Sequence, residues 1–259
     1  MGEIEVAGGS LYVEEAGDGP AVVLVHGGLG DRRLWDEQMA PFAERFRVVR
    51  FDLRGFGRSS SAPGTFGVVD DVVAVLDALG IARAALVGLS FGGRIAIDAA
   101  LELPDRVWAL VAVAAAASGV PLTGVYTDEQ DTAFEEALER GDLETAAAID
   151  LAVWAPLGAD ERIRTLLLEN LRTAEGVEER WPEPPAATRL AELRVPTLVV
   201  TAARDPARMG EIGDLLEREV PGARRVELDS DHYLPLREPE TFNRLVLDFL
   251  ASAAPDEGQ

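Results

Sequence analysis

Val87-Gly88-Leu89-Ser90-Phe91-Gly92-Gly93, VGLSFGG, sets one serine among three glycines directly after an apolar run. The spacing fits Gly-x-Ser-x-Gly, in which a nucleophilic serine sits on a sharp strand-to-helix turn. Such a turn crowds its own backbone, so a side chain two positions either side of the serine would collide with it. Gly88 and Gly92 leave that room, and Gly93 lets the following helix approach the sheet. A bland alternative stands beside this one: the glycines serve a tight turn and Ser90 caps the helix. Context has to decide between them.

The residues upstream, Ala84–Gly88, read as a buried strand, and those downstream, Phe91–Leu103, as a helix. Working outward, further strands are expected at Leu11–Glu15, Ala21–His26, Arg47–Asp52, Val107–Val113, Val195–Thr201 and Arg224–Leu228. Several are continuous apolar runs, as in parallel sheets covered on both faces. Helical periodicity marks Leu34–Arg45, Val68–Leu79, Ala207–Arg218 and Pro239–Leu250. The alternation predicts an α/β fold with a mostly parallel central sheet flanked by helices. After about Ala117 it stops, and no strand is apparent before about Ala187. Thr127-Asp128-Glu129-Gln130 is a capping box leading to Phe134 and Leu138. Two more helical runs follow, Leu143–Trp154 and Glu161–Ala174. Residues 1–117 and 188–252 are therefore expected to form the core, 118–187 an inserted helical cap, and 253–259 a disordered tail.

Composition narrows the chemistry. The 259 residues carry 24 basic and 46 acidic side chains, a net charge of −22, and every basic residue is arginine. So acidic a surface repels nucleic acid and anionic membranes. No apolar run reaches the length of a membrane helix, and the acidic amino terminus lacks the order of a signal peptide, so a cytoplasmic protein is expected. There is no cysteine, hence no thiolate metal site or cysteine nucleophile. With two distant histidines as well, neither a metal nor another cofactor is expected.

A serine hydroxyl needs a base, and histidine suits that task near neutral pH. Of the two histidines, His26 ends a strand and is expected to make structural hydrogen bonds. His232 follows the last strand and can reach the sheet edge where Ser90 lies. The base needs an orienting carboxylate. Asp205, just past Val195–Thr201, is the candidate; Asp231 and Asp229 are rivals by proximity, though a sequence neighbour usually points away from the ring.

The order Ser90, Asp205, His232, with His26-Gly27-Gly28 after an early strand, resembles the α/β-hydrolase superfamily. The likeness spans nearly the whole chain: HGGLGDRRLW at His26–Trp35, DLRGFGRS at Asp52–Ser59, the strand before Asp205, and DHYLPLREPETFNRLVLDFL at Asp231–Leu250. Phe56 and Asp231 depart from it, standing where histidine and glycine are frequent. The resemblance implies an oxyanion hole from the backbone N–H groups of Gly28 and Phe91, with Leu29 as fallback. It implies a serine hydrolase acting on a small-molecule carboxylic ester or lactone, like esterases and 3-oxoadipate enol-lactonases. Carbon–carbon bond hydrolysis, perhydrolysis and slow-turnover ligand sensing are the alternatives. Trp154, Leu234, Tyr126, Phe134 and Trp181 are candidates to line the substrate pocket. The small substrate is the expected partner, with neither nucleic acid nor membrane, and a homodimer is left open. Arg32, Arg33 or Arg94 could attract an anionic group locally despite the acidic surface.

Overall fold

The computed structural model describes residues 2–62, 64–173 and 177–255. Strands β1 (Gly2–Val6), β2 (Gly9–Ala16) and β3 (Ala21–Val25) open the chain, and a 3₁₀ turn over Arg32–Trp35 leads into α1 (Asp36–Ala43). Then come β4 (Arg47–Phe51), the short β5 (Ser60–Ser61) and β6 (Gly64–Gly67), α2 (Val68–Ala78), β7 (Ala84–Leu89), α3 (Phe91–Glu102) and β8 (Val107–Val113). Three helices follow: α4 (Asp128–Glu139), α5 (Leu143–Trp154) and α6 (Glu161–Thr173), and after them β9 (Val177–Arg180). The chain closes with β10 (Thr197–Ala202), α7 (Ala207–Glu219), β11 (Arg224–Leu228), α8 (Leu234–Arg237) and α9 (Pro239–Ala253).

The main sheet runs β1-β2-β4-β3-β7-β8-β10-β11, with β5 on the edge of β2. From β4 across to β11 every pairing is parallel; the antiparallel pairings are those of β2 with β1, β4 and β5. Successive residues of the central strands enter opposite cores. Val23, Val25, Leu86 and Val199 pack on one face, while Val22, Leu24, Val87 and Val200 pack on the other. Both faces are covered, which is why these strands read as unbroken apolar runs rather than alternating ones. Among the described residues no helix is long and apolar enough to cross a membrane.

The structure revises several sequence expectations. The Leu34–Arg45 helix divides, because the Asp31 side chain accepts from the Arg33 N–H and starts a 3₁₀ turn before α1 begins. Ser60–Ser61, for which no strand is expected, pairs with Gly9 and Ser10. Residues 118–187, expected to be helical, contain a strand: β9 pairs in parallel with β6, residue by residue from Gly64–Val177 to Gly67–Arg180. Neither GTFG nor VEER shows an apolar alternation, so only the tertiary approach of the two segments creates the pairing. Helix α9 runs through Ala253, the first residue of the expected tail. Residues 256–259 of that tail, and Ala174 at the end of the third cap helix, lie outside the described residues.

Candidate active site

The serine turn is strained as its sequence predicts. Ser90 has φ +53° and ψ −113°, a region that L-residues seldom occupy. It does not cap α3, since its side chain makes no capping hydrogen bond. Its backbone is pinned instead: Ser90 N–H donates to Val113 O at 2.9 Å, and Ser90 O accepts from Arg94 at 3.0 Å and Ala116 at 3.1 Å. The glycines are sterically required. A Cβ on Gly88 would come within 2.7 Å of Gly93 Cα, one on Gly93 within 2.9 Å of Ala115 Cα, and one on Gly92 would fall on the carbonyls of Val25 and His26. Gly92→Ala therefore forces backbone to move, and a loss of about 1–3 kcal/mol is expected in urea unfolding.

Three loops meet at the carboxyl edge of the sheet. Beyond β7 comes Ser90; beyond β10, Asp205; beyond β11, His232, with β8 between the first two strands. Ladder bonds continue past the strand ends and tie these loops together: Ala114 to Val200 at 2.7 Å, Ala203 to Leu228 at 2.9 Å and Arg204 to Ser230 at 2.9 Å. His232 Nδ1 lies 3.0 and 3.1 Å from the two oxygens of Asp205, and both side chains are buried. An ionised carboxylate only accepts, so Nδ1 carries the proton and Nε2 keeps its lone pair. Nε2 is buried and has no hydrogen-bond partner among the described residues. Such a pair can accept a proton at Nε2 and stabilise the resulting imidazolium.

The rival acids are engaged elsewhere. Asp229 pairs with Arg204 at 2.8 Å. Asp231 accepts from Arg237 at 2.9 and 3.1 Å, and from the N–H groups of Tyr233 at 3.2 Å and Leu157 at 3.3 Å. His26 is structural: Nδ1–H donates to Gly27 O at 2.8 Å, while Nε2 accepts from Leu53 N–H at 2.9 Å. Complete burial lowers its pKa and keeps it neutral. Asp52 takes the Arg32 and Arg58 N–H groups and the Arg32 guanidinium, and Arg54 forms a buried ion pair with Asp71, so both hold the turn beneath the site.

Gly28 and Leu29 are half-buried at the mouth of the early loop, and Gly28 lies beside Phe91. As the first residue of α3, Phe91 has an N–H with no acceptor inside the helix. The candidate lining residues divide. Trp154 lies against the imidazole, with ring centroids 4.4 Å apart, and its carbonyl accepts from His232 N–H at 3.3 Å. Trp181 meets Phe91 edge-on at 5.5 Å. Tyr126 packs on Trp154 and turns its hydroxyl to Asp150 at 2.6 Å; Phe134 packs on Tyr126, one ring further out. Leu234 corrects its expectation. It is fully buried in the core, because the chain turns inward into α8 immediately after Tyr233, and it packs rather than lines.

Two buried polar residues between 118 and 187 escaped the sequence reading. Asn170 donates from Nδ2 to the carbonyl of Gly28, tying α6 to the early loop. Asp150 ends a chain in which Trp154 Nε1–H donates to the Tyr126 hydroxyl and that hydroxyl donates to Asp150. Each sits on the apolar stripe of its helix, Asn170 with Ile163, Leu166 and Leu167, and Asp150 with Ala146, Ala147 and Trp154. A polar residue within such a stripe is the signal that would have found them.

Burial, with no cationic partner among the described residues, pushes the Asp150 carboxyl up to about 6. A raised folded-state pKa means that stability falls as pH climbs from about 4 to 6 and that the deficit persists above. Asp150→Asn stays neutral and still accepts the Tyr126 hydroxyl. It is expected to be more stable than wild type by about 1–3 kcal/mol at pH 8, and to show no such advantage at pH 4, in urea unfolding at the two pH values.

Comparison with known proteins agrees with this architecture. A family model described as the alpha/beta hydrolase fold matches residues 20–148. The chain is 24% identical to 3-oxoadipate enol-lactonase 1 of Acinetobacter baylyi, over 94% of this chain and 93% of that one. It is 27% identical to the 2-hydroxy-6-oxononadienedioate/2-hydroxy-6-oxononatrienedioate hydrolase of Comamonas testosteroni, over 93% and 91%. Among solved structures, the N-acyl homoserine lactone degrading enzyme Est816 superimposes with a TM-score of 0.79 at 26% identity, over 96% of this chain and all of that one. The chain belongs to the α/β-hydrolase superfamily and is a hydrolase of that family.

Proposed function

We propose that this hydrolase cleaves a small-molecule carboxylic ester or lactone through an acyl-enzyme on Ser90. Ser90 Oγ attacks the carbonyl as its proton passes to His232 Nε2, and Asp205 stabilises the imidazolium. The N–H groups of Gly28 and Phe91 donate to the oxyanion. Collapse of the tetrahedral intermediate releases the alcohol, which takes the proton from His232; in a lactone the alcohol stays tethered to the acyl group. Water then loses a proton to Nε2, attacks the acyl carbon, and frees the acid and Ser90. Residues 118–187 act as a cap over a core of 1–117 and 188–252, and Trp154 and Trp181 present apolar walls to the substrate.

One observation carries this reading: a buried imidazole, oriented by Asp205 and with Nε2 open, on the sheet edge that also presents a strained, non-capping serine. The lactonase names among the relatives support the substrate class. The relative from Comamonas testosteroni favours a second reading, carbon–carbon bond hydrolysis by the same three residues. A panel of acyl esters, lactones and vinylogous diketones, with product analysis, separates the two. Multiple turnover on esters or lactones is expected; turnover confined to the diketones would replace the first reading with the second.

A further inference from the structure

The three arginines singled out by the sequence have different fates. Arg32 is taken by Glu14 at 3.1 Å and Asp52 at 2.8 Å, and Arg33 by Asp31 and Glu169. Arg94 is not taken. Its Nε is buried without a hydrogen-bond partner among the described residues. It is held by stacking: the guanidinium carbon lies 3.4 Å from the centroid of the Trp181 ring. Stacking fixes the plane of a guanidinium without using its N–H groups, and a guanidinium so held suits a planar, bidentate acceptor.

Its place relative to the serine is as telling. Arg94 lies one helical turn beyond Ser90, whose carbonyl accepts its N–H. Helical side chains lean toward the helix N-terminus, so Arg94 runs back toward the turn that holds Ser90 and Phe91. Gly28, Phe91, Trp181 and Arg94 form an unbroken series of contacts, from the oxyanion loop to the cation. Two carboxyl groups lie near enough to act on its charge, Asp98 and Glu179. Asp98 is bonded by the Ser118 hydroxyl at 2.6 Å. Neither accepts from Arg94.

We propose that Arg94 is an anion subsite that binds a second, free carboxylate on the substrate. The proposal rests on the serine-hydrolase reading and specifies its substrate: an ester or lactone bearing a carboxylate a short aliphatic chain from the scissile carbonyl. Residues 90 and 94 are separated by about 6 Å of helix rise, a distance such a chain spans. The acidic surface gives an anionic substrate no long-range attraction, so recognition has to be local and directional.

The test compares a monoester of a dicarboxylic acid with its methyl-capped, neutral analogue. Wild type is expected to favour the free acid, and Arg94→Gln to lower that kcat/KM ratio by about 10- to 100-fold, mainly through KM. Arg94→Lys keeps the charge but loses the planar fork, and is expected to recover part of the ratio. An unchanged ratio in a folded Arg94→Gln variant would overturn the subsite. Glutarate binding, measured by calorimetry, reads the subsite without turnover. Binding weakened at least about 10-fold in Arg94→Gln supports it, and equal or absent binding overturns it. If glutarate discriminates while neither ester is turned over, the subsite stands and the Ser90 reading fails.

Discussion

Ser90→Ala is expected to lower kcat on a cleavable ester by about 10⁴-fold or more, with the fold intact. The size of the loss follows from what remains. Without Oγ no acyl-enzyme forms, and only the oxyanion donors and substrate positioning still contribute. The intact fold follows from the local structure. The Ser90 side chain caps nothing, and the unusual backbone angles are held by main-chain bonds to Val113, Arg94 and Ala116 that alanine preserves. A large loss of rate with an unchanged unfolding midpoint separates chemistry from scaffolding at this position. Substitution of Gly92, two residues away, is expected to show the opposite pattern and strike stability first.

Asp205→Asn is expected to cost about 10⁴-fold in kcat, although it is nearly isosteric. The carboxylate accepts the Nδ1 proton with both oxygens near the ring. An amide can present its NH₂ to Nδ1 instead, which moves the imidazole proton to Nε2 and removes the lone pair that the serine needs. The variant is expected to keep its folded circular-dichroism spectrum. Stopped-flow or steady-state rates on one ester, for the wild type and for Asp205→Asn at fixed pH, check this directly. If activity survived in Asp205→Asn but not in a variant at Asp231 or Asp229, the acid would have to be reassigned. The ion pairs of those two residues with Arg237 and Arg204 argue against that outcome.

The parallel part of the sheet was legible because its strands are buried on both faces and so are apolar throughout; Ala84–Leu89 and Val107–Val113 are examples. The short strands β5, β6 and β9 were not. Their sequences, SS, GTFG and VEER, carry no periodicity, and their pairing depends on segments that meet only after folding. In the site, scarcity made the sequence informative. With two histidines, and one of them followed at once by Gly27 and Gly28 at a strand end, the base could be argued by elimination. The segment expected as a cap was less legible, because a side chain there answers to partners on other helices. Leu234 reads as a lining residue from its nearness to His232, yet the inward turn at α8 buries it. Arg94 shows the limit most clearly. Nothing in its local sequence distinguishes it from Arg32 or Arg33; only the pairing of those two with neighbouring acids leaves it as the open cation.

If Ser90 is a nucleophile activated by His232, as proposed, it is open to covalent labelling. A fluorophosphonate reacts with such a serine and with few other hydroxyls, and peptide mass spectrometry locates the adduct. One label is expected per chain, on the peptide containing VGLSFGG and at Ser90, and it should be lost in Ser90→Ala and strongly slowed in His232→Ala. A folded wild-type protein that takes no label at Ser90, or takes it elsewhere, would rule out Ser90 as the nucleophile.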